Sequence, residues 1–525
     1  MRKPFFVFVA LMIALAIWLV TLQSPLLWAY VFIGPILVLG MYDAIQTKRA
    51  VLRNFPILGH GRYLMEMIRP EMNQYFIESD TDGRPFSRDL RSVVYQRAKK
   101  ALDTLPFGTQ HDVYAVGYEW INHSLLAVKA DHEQPRVLVG ASKCRQPYSA
   151  SLLNISAMSY GALSNNAVEA MGLGAQEGGF AHNTGEGGVS PHHLAGGADL
   201  IWQVGTGYFG CRKPDGTFDP DKFKACASQA AIKMIELKLS QGAKPGHGGI
   251  LPAAKVTEEI SKIRGVPMGH DVNSPPAHSS FSTPQGLLEF VTDLRELSGG
   301  KPVGIKLCVG SRSEFMSLCK AMVKTGMHPD FITVDGGEGG TGAAPLEFSN
   351  SLGMPLSEGL AYVHNCLTGF RLRHKIRIIA AGKIITGFHM VRAMALGADI
   401  CYSARGMMMA IGCIQARRCN SNDCPVGVAT QRPGLVIGLH VQDKRHRVAN
   451  FHESTVESFM EILGAAGLRK PSELEPSHVM RRVSNTETMT FEEIFNFIEP
   501  GSLLYDPVPE GYEDAWFRST PDSFA

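Results

Sequence analysis

The sequence lacks an excess of charge of either sign. Lys and Arg together number 51 and Asp and Glu 49 in 525 residues, so the formal net charge is +2. The chain also has no basic tail or block. A field this weak does not attract a polyanion. The charge balance therefore excludes nucleic acid as an expected partner.

Cysteine is too sparse and scattered for a disulfide-stabilised scaffold. The ten cysteines are spread from Cys144 to Cys424, without the dense pattern of small secreted domains. This distribution favours reduced thiols and a cytosolic environment.

No charged side chain occurs between Lys3 and Asp43. That window contains two apolar runs, Phe5–Leu22 and Leu26–Tyr42, joined by Gln23, Ser24 and Pro25. A membrane-spanning helix needs roughly 20 apolar residues or slightly fewer. The window therefore predicts a transmembrane helical hairpin over residues 1–45.

Basic residues flank both sides of this predicted hairpin. Arg2 and Lys3 precede it, and Lys48, Arg49 and Arg53 follow it. By the positive-inside bias, both ends lie in the cytoplasm. We therefore expect the inner cell membrane as the location, with the rest of the chain facing the cytoplasm. A cleaved signal peptide is the alternative, but cleavage leaves the second apolar run unexplained.

Eight short apolar runs recur beyond Leu152, separated by longer stretches with helical spacing. Alternation of this kind indicates βαβ units, and eight of them favour a closed barrel. The runs are 154–159, 180–185, 200–205, 235–240, 303–308, 331–336, 377–382 and 400–405. The predicted fold class is α/β, a TIM (β/α)8 barrel with the N-terminal hairpin and a C-terminal extension. The predicted domains are residues 1–45 (hairpin), 46–145 (connecting or accessory region), 146–480 (barrel) and 481–525 (extension).

Glycine and basic residues follow the last two predicted strands. The segments are AAGKIITG (380–387) and YSARG (402–406). Small residues let backbone N–H groups approach a phosphate there, and Lys383 and Arg405 can add positive charge. The alternative is that the glycines only end strands and Lys383 is a solvated surface residue. The pairing on consecutive strands favours a phosphate site.

Two other segments are unusually rich in glycine: NTGEGG (183–188) and DGGEGGTGAAP (335–345). Such clusters occur where the backbone must approach a flat ligand or adopt positive φ. They predict a planar cofactor over the barrel mouth, with a mobile lid as the alternative.

Two lysines stand in segments where a cation needs an anionic partner. Lys244, in GAKPGHGGILP, is a candidate anchor for a substrate carboxylate or for the cofactor. Lys306 lies within the apolar run VGIKLC, where an inward ammonium must offset its desolvation. A surface lysine with a buried stem is the alternative for Lys306.

Three cysteines are clustered in GCIQARRCNSNDCPVGVATQ (412–431). Cys413, Cys419 and Cys424 are separated by five and then four residues. Three soft thiolates followed by Pro425 are typical of an iron-sulfur cluster. A zinc site usually has a fourth ligand and two-residue spacings. Three thiolates suit 3Fe-4S, or a four-iron cluster with an outside ligand.

Five motifs together resemble the FMN-binding synthase domain of glutamate synthases. They are SAMSYGALS (156–164), NTGEGG, QGAKPGHGG (241–249), DGGEGGTGAAP, and the cysteine run ending in CPVGVATQ. They occur in the family's order and cover roughly residues 150–435. The resemblance implies a TIM barrel that holds FMN, fed with electrons by a 3Fe-4S cluster, and hydride transfer that yields glutamate.

The resemblance also implies roles for matched positions. Catalytic residues would be Lys244, Lys306 and Glu186, and cluster ligands would be Cys413, Cys419 and Cys424. Substrate-binding residues would be Lys244, His247 and Ile250. Cofactor-binding residues would be Met158, Ser159, Gln203, Lys306, Gly337, Gly339, Gly340, Gly382, Lys383, Ser403, Arg405 and Gly406. Implied partners are a 2-oxo acid or amino acid, an electron donor such as ferredoxin, the membrane, and a separate source of ammonia.

The chain departs from the family pattern at His247 and Ile250, where glutamate synthases usually have Glu and Gln. A change of hydrogen-bonding partners alters which substrate a site accepts. Met1 is followed directly by the apolar hairpin rather than by a glutaminase domain, so we expect a stand-alone, membrane-anchored relative. Two alternatives stay open: a membrane-linked dehydrogenase of another small acid or amine, and a redox-sensing or scaffolding protein with a vestigial flavin site.

Overall fold

The computed structural model describes residues 2–129 and 135–524 and divides the chain into two compact units. The units are Met1–Arg88 and Asp89–Ala525. Met1, residues 130–134 and Ala525 fall within predicted domains but lie outside the described residues. The predicted domain boundaries at 45, 145 and 480 stay predictions.

The first unit is helical. Its helices are Arg2–Thr21, Pro25–Ala29, Tyr30–Ile45, Ala50–Asn54, Gly59–Met72 and Asn73–Ile77. Ser24 caps the turn between the first two, because its side chain accepts from the Leu26 N–H at 3.3 Å. Lys3–Thr21 and Pro25–Ile45 are long and apolar enough, by length and composition, to cross a membrane. Both predicted apolar runs are therefore helices.

The second unit contains a closed barrel of eight parallel strands. The strands are β1 (Leu153–Ile155), β2 (His182–Asn183), β3 (Leu200–Val204), β4 (Ile232–Lys238), β5 (Val303–Leu307), β6 (Phe331–Asp335), β7 (Arg377–Ala381) and β8 (Ile400–Ser403). Each strand pairs with its neighbour in sequence, and the Ser403–Ile155 register closes the ring. The predicted TIM barrel is therefore confirmed, with all eight strands in the predicted places.

Several strands are shorter than the apolar runs that predicted them. The run 154–159 gives a strand that ends at Ile155, because the chain then turns across the barrel mouth. The Ser156 N–H still donates to the Ser403 carbonyl oxygen at 3.1 Å, beside the closing pair. Met158 and Ser159 consequently lie on a loop.

Helices follow every strand and cover the outside of the barrel. They are Asn165–Gly178, Pro191–Ala195, Pro220–Ala227, Glu258–Arg264, Pro284–Leu297, Arg312–Thr325, Leu346–Asn350, Leu356–Gly369, Gly387–Ala395 and Arg405–Ala410. The remaining helices of the unit are Arg88–Ala98, Ala253–Lys255, Pro433–Val436, Val441–Ala465, Pro471–Glu473, Pro476–His478, Phe491–Phe495 and Glu513–Arg518. Ser, Thr or Asp side chains cap many of their N-termini, as Ser164 does for the first.

A hairpin packs against the first residues of several barrel strands. It pairs Arg136–Val139 with Tyr148–Ser151. Tyr148 and Ala150 share a buried cluster with Phe331 and Ile400, which begin β6 and β8. A fully buried large apolar side chain contributes about 1.5–3 kcal/mol. This packing leaves the carboxyl ends of the strands to carry the chemistry.

Two smaller sheets complete the unit. Ile250–Leu251 pairs with Val272–Asn273 after β4. Val479–Arg482 pairs with both Glu119–Ile121 and Thr488–Thr490.

Candidate active site at the barrel mouth

A carboxylate and a lysine meet where β2 and β4 end. Glu186 follows β2, and its Oε1 lies 2.9 Å from the Nζ of Lys238, the last residue of β4. Burial alone would raise the pKa of Glu186, but the positive charges of Lys238, Lys244 and Arg264 outweigh it, and the pKa is lowered. Glu186 is therefore an ionised carboxylate at neutral pH.

Lys244 adds a second cation to this group. It is buried, and its Nζ donates to the Ala343 carbonyl oxygen at 2.9 Å. Burial lowers the pKa of Lys244 to about 8, although Glu186 opposes the shift. The loop after β4 is thereby held against the loop after β6.

Arg264 supplies the third cation. It ends the helix Glu258–Arg264, and its Nη2 donates to the Tyr160 carbonyl oxygen at 3.1 Å and to Ser159 Oγ at 3.4 Å. Its guanidinium lies over the Phe209 ring, 5.1 Å from the centroid. The buried Nε of Arg264 has no hydrogen-bond partner within the described part of the chain. Three cations thus surround one carboxylate, an arrangement suited to an anionic ligand.

A fully buried carboxylate lies deeper in the barrel. Glu236, on β4, accepts hydrogen bonds from Asn183 at 2.8 Å, Gln203 at 2.6 Å and Thr333 at 2.6 Å. Gln203, a predicted flavin contact, therefore uses its amide to hold Glu236. Strands β2, β3, β4 and β6 are tied together by this one side chain.

Lys306 points inward from β5, as predicted. Its Nζ lies 3.2 Å from Asp335 Oδ2. Burial would lower the pKa of Lys306, but Asp335 and Glu236 outweigh it and raise the pKa. The alternative of a surface lysine is excluded, because the residue is only 5% exposed.

The ends of β7 and β8 bring together the residues predicted to hold a phosphate. Gly382 has φ +153°, a conformation that favours glycine, and Lys383 follows it. Both line a cavity of about 150 Å³ together with Glu338. Arg405 begins the helix after β8, and its Nη2 donates to the Glu338 carbonyl oxygen at 2.8 Å.

Ser403 and Gly406 complete the same region. Ser403 Oγ donates to the Ile384 carbonyl oxygen at 2.6 Å. A Cβ added at Gly406 would lie 2.5 Å from Ser403 Oγ. These two residues hold the ends of β7 and β8 together.

The glycines after β6 pack too closely to accept side chains. A Cβ on Gly337 would lie 2.8 Å from the Gly353 carbonyl oxygen, and one on Gly339 would lie 2.9 Å from Asp335 Oδ1. A Cβ on Gly340 would lie 2.8 Å from Arg405 Nε. This cradle of bare backbone beside Lys306 and Arg405 fits a flat, phosphorylated ligand such as FMN.

Met158 and Ser159 lie beside the loop after β2. Gly185 has φ +66°, and a Cβ there would lie 2.6 Å from the Ser159 backbone nitrogen. The first two loops therefore meet at the mouth next to Glu186.

His247 and Ile250 lie on the loop that passes Glu186. A Cβ on Gly249 would lie 2.6 Å from Glu186 Oε1. The His247 ring packs edge-on against Phe348, with centroids 5.2 Å apart, and its Nδ1 lies 2.9 Å from the Gly248 carbonyl oxygen. Ile250 begins the short strand that pairs with Val272–Asn273. The two positions at which the sequence departs from the resemblance therefore lie on the loop beside Glu186, with the His247 ring against an aromatic side chain.

The three clustered cysteines are electrostatically coupled to one another. Burial raises the pKa of Cys413 to about 12, and Cys419 and Cys424 add to the shift. Burial and Cys424 likewise raise the pKa of Cys419, while Lys255 opposes them. Over residues 2–129 and 135–524, no group of three or more His, Cys, Asp or Glu side chains has the arrangement of a metal site. The thiols fit an iron-sulfur cluster by donor chemistry, and the cluster itself stays a prediction.

Sequence reasoning missed Lys255, which accompanies these cysteines. Its buried Nζ donates to the Ala162 and Ala429 carbonyl oxygens, both at 2.9 Å. Burial lowers the pKa of Lys255 to about 8, and Cys419 and Cys424 oppose the shift. This cation can balance negative charge on thiolates.

Four residues of the mouth were not singled out from the sequence: Lys238, Arg264, Glu236 and Asp335. A signal existed for two of them, because Glu236 and Lys238 interrupt the apolar run that predicted β4. Arg264 offers no such signal, since it lies in an ordinary polar helix far along the chain from Glu186.

Known proteins resemble this chain over much of its length. Residues 116–469 match the family described as "Conserved region in glutamate synthase". The chain is 38% identical over 495 residues to the glutamate synthase large subunit-like protein YerD of Bacillus subtilis, covering 86% of this chain and 94% of that protein.

Two further relatives match over a shorter part of the chain. An archaeal glutamate synthase [NADPH] of Methanocaldococcus jannaschii is 38% identical over 316 residues, which are 60% of this chain and 58% of that protein. A ferredoxin-dependent glutamate synthase of Antithamnion sp. is 34% identical over 278 residues, which are 51% of this chain and 17% of that protein. The chain therefore spans less than two thirds of either relative.

Proposed function

Because this chain belongs to the glutamate synthase family, we propose that it is an FMN-dependent oxidoreductase that forms glutamate from 2-oxoglutarate and ammonia. The observation that carries the proposal is the cation-rich mouth, where Lys238, Lys244 and Arg264 surround Glu186. Three positive charges against one negative leave an excess of two. A 2-oxo dicarboxylate supplies that compensating charge.

Different side chains at the mouth would bind different groups of the substrate. Arg264 has a free N–H and a planar guanidinium that suits a carboxylate. Lys244 supplies a compact charge for the second carboxylate. Condensation of the keto group with ammonia releases water and leaves a carbon–nitrogen double bond, which the ionised Glu186 stabilises when its nitrogen is protonated.

FMN held at this mouth would supply the hydride that saturates this double bond. Its phosphate would be held by Gly382, Lys383, Ser403, Arg405 and Gly406, and its ring by the glycine cradle together with Met158, Ser159 and Lys306. The closely packed glycine backbone would limit movement of the ring, because backbone has no alternative rotamers.

Electrons would reach the flavin through an iron-sulfur cluster, most simply 3Fe-4S, on Cys413, Cys419 and Cys424. The names of the relatives point to ferredoxin or NADPH as the external donor. Ammonia would come from a separate source.

The apolar helices of the first unit would anchor the protein in the inner cell membrane, with the barrel in the cytoplasm. Their length and composition support this location, as do the basic residues Lys48, Arg49 and Arg53 that follow them.

The direct test uses the purified full chain with flavin absorbance and the paramagnetic resonance signal of the cluster both verified. Incubation with 2-oxoglutarate, ammonia and reduced ferredoxin should yield glutamate, measured by amino-acid chromatography. Omitting 2-oxoglutarate is the control and should abolish the product. Absence of glutamate from protein with both cofactors intact rejects the proposal.

A second candidate is a membrane-linked FMN dehydrogenase of another small acid or amine. The contact between His247 and Phe348, with Ile250 on the same loop, favours it, because these side chains suit an apolar group better than a second carboxylate. Flavin bleaching by an apolar amino acid or amine, without glutamate formation in the first assay, would select this alternative.

The value of kcat/KM should fall as the pH rises through about 8. Lys244 is protonated below its lowered pKa of about 8 and loses its charge above it, and so loses its attraction for the carboxylate. In Lys244→Arg the guanidinium stays charged, so we expect the alkaline limb to move upward by roughly two pH units or more. Steady-state kinetics from pH 6 to about 10 measure both profiles. The exposed Lys324→Arg is the control, and identical limbs in Lys244→Arg and wild type would contradict the assignment.

A further inference from the structure

A short amphipathic segment follows the two long apolar helices in the first unit. In the helix Gly59–Met72, the side chains of Leu64, Met65, Ile68 and Met72 recur at helical spacing on one face. Leu64, Met65 and Met72 are 50%, 57% and 42% exposed. In the adjoining π-helix Asn73–Ile77, Phe76 and Ile77 are 78% and 70% exposed. So many exposed apolar side chains on one face indicate that something outside the chain covers them.

This segment is fixed to the end of the hairpin. Asp43, near the end of Tyr30–Ile45, is fully buried and accepts from the Ile57 N–H at 3.0 Å. The same carboxylate lies 2.9 Å from His60 Nε2. The amphipathic helix therefore starts where the second apolar helix ends.

Gly40 makes this junction compact. A Cβ at Gly40 would overlap the Phe5 ring and would lie 2.9 Å from Ile57 Cδ1. The start of the first apolar helix and the end of the second thus meet Ile57 at one place. In a hairpin that enters and leaves a bilayer on one side, this place lies at the membrane surface.

Basic side chains outnumber acidic ones between the second apolar helix and the end of the segment, and two of them lie beside the apolar face. Residues 46–77 contain five basic side chains (Lys48, Arg49, Arg53, Arg62, Arg69) and two acidic ones (Glu66, Glu71). Arg62 and Arg69 are exposed and form no ion pair within the described part of the chain. On a helical projection Arg62 and Arg69 lie together along one edge of the apolar stripe, Glu71 lies along the other edge, and Glu66 lies on the opposite side.

We propose that residues 58–77 lie in the plane of the membrane surface, with Leu64, Met65, Ile68, Met72 and Phe76 inserted among the acyl chains and Arg62 and Arg69 bound to anionic phospholipid headgroups. Apolar burial and charge attraction act together in such helices. The inference rests on the proposed membrane anchor and adds to it a lipid-binding surface that prefers anionic headgroups.

Photo-crosslinking of the full chain tests the surface. The photoreactive residue p-benzoylphenylalanine is introduced singly at Met65, at Glu66 as the matched control on the other face, and at Phe8 to report hairpin insertion. Each variant is reconstituted in vesicles of equal parts phosphatidylglycerol and phosphatidylcholine, and lipid adducts are counted by mass spectrometry. We expect strong adducts at Phe8 and Met65 and several-fold fewer at Glu66.

Headgroup selectivity is measured with the Met65 probe in an Arg62→Gln/Arg69→Gln background. These exposed residues support no ion pair of the fold, so folding should be unaffected. The ratio of phosphatidylglycerol to phosphatidylcholine adducts should fall by roughly fivefold for each arginine removed. An unchanged ratio overturns the headgroup contacts.

Different results would overturn the surface helix and the membrane anchor. Adducts at Phe8 with none at Met65, or equal adducts at Met65 and Glu66, overturn the surface helix and leave the anchor intact. No lipid adduct at Phe8 overturns the anchor itself, and with it the inference that rests on it.

Discussion

Replacing Asp335 by asparagine is expected to lower the free energy of unfolding by about 3 to 5 kcal/mol. Asp335 Oδ2 lies 3.2 Å from Lys306 Nζ and also accepts from the Gly242 N–H at 3.1 Å. The two side chains are only 10% and 6% exposed. The substitution leaves the Lys306 ammonium buried without its ion-pair partner, because Glu236 and Glu186 already bind other side chains. It also weakens the hydrogen bond that joins the loops after β4 and β6.

The measurement is urea-induced unfolding of the full chain, followed by circular dichroism. The matched control is Asp522→Asn, which removes the partner of Lys324 from an ion pair of 2.6 Å whose side chains are 52% and 66% exposed. Solvent screens that pair, so its loss should cost less than about 1 kcal/mol. Equal effects of the two substitutions would show that Lys306 is not held by a desolvated charge.

Replacing Arg264 by leucine is expected to lower kcat/KM for 2-oxoglutarate by roughly a hundred- to a thousandfold. The guanidinium is buried against Ser159, Tyr160 and the Phe209 ring, and its Nε has no partner within the described residues. Leucine removes both the charge and the donors that bind the substrate carboxylate under the proposed function. Lysine at this position restores charge but not the planar fork, so Arg264→Lys should recover only part of the loss.

Steady-state kinetics of the purified variants measure the effect, with flavin content as a check on folding. Arg212→Leu is the control, because Arg212 also lies over the Phe209 ring, at 5.6 Å, but is not among the cations that lower the pKa of Glu186. We expect its kcat/KM to stay within about threefold of wild type. A similar loss in both variants would mean that Arg264 acts by supporting Phe209 rather than by binding substrate.

The departure at His247 and Ile250 bears on how far the family assignment extends to the substrate. The ring contact with Phe348 shows that His247 is occupied by an aromatic neighbour. The cations at the mouth favour an acid, whereas this loop favours an apolar group beside it. The assay for glutamate therefore decides between the two candidate functions, and Arg264 would keep a carboxylate to bind wherever the alternative substrate is an acid.

Local patterns in the sequence determined the eight strands, the hairpin helices and the inward direction of Lys306. Burial on a barrel strand requires a continuous apolar run, and a charge placed inside one must find a partner, so both features are visible within a few residues. Glycine density likewise marked the loops after β2 and β6, because closely packed backbone excludes side chains.

Only the tertiary structure decided which charges meet. Arg264 contacts Ser159 across 105 positions of the chain, and Glu186 meets Lys238 from a different strand end. Such contacts depend on closure of the ring and on the path of the loops, and neither is encoded in the spacing of nearby residues. For that reason Lys238, Arg264 and Glu236 emerged from the fold, while the residues that flank them were predicted from the sequence.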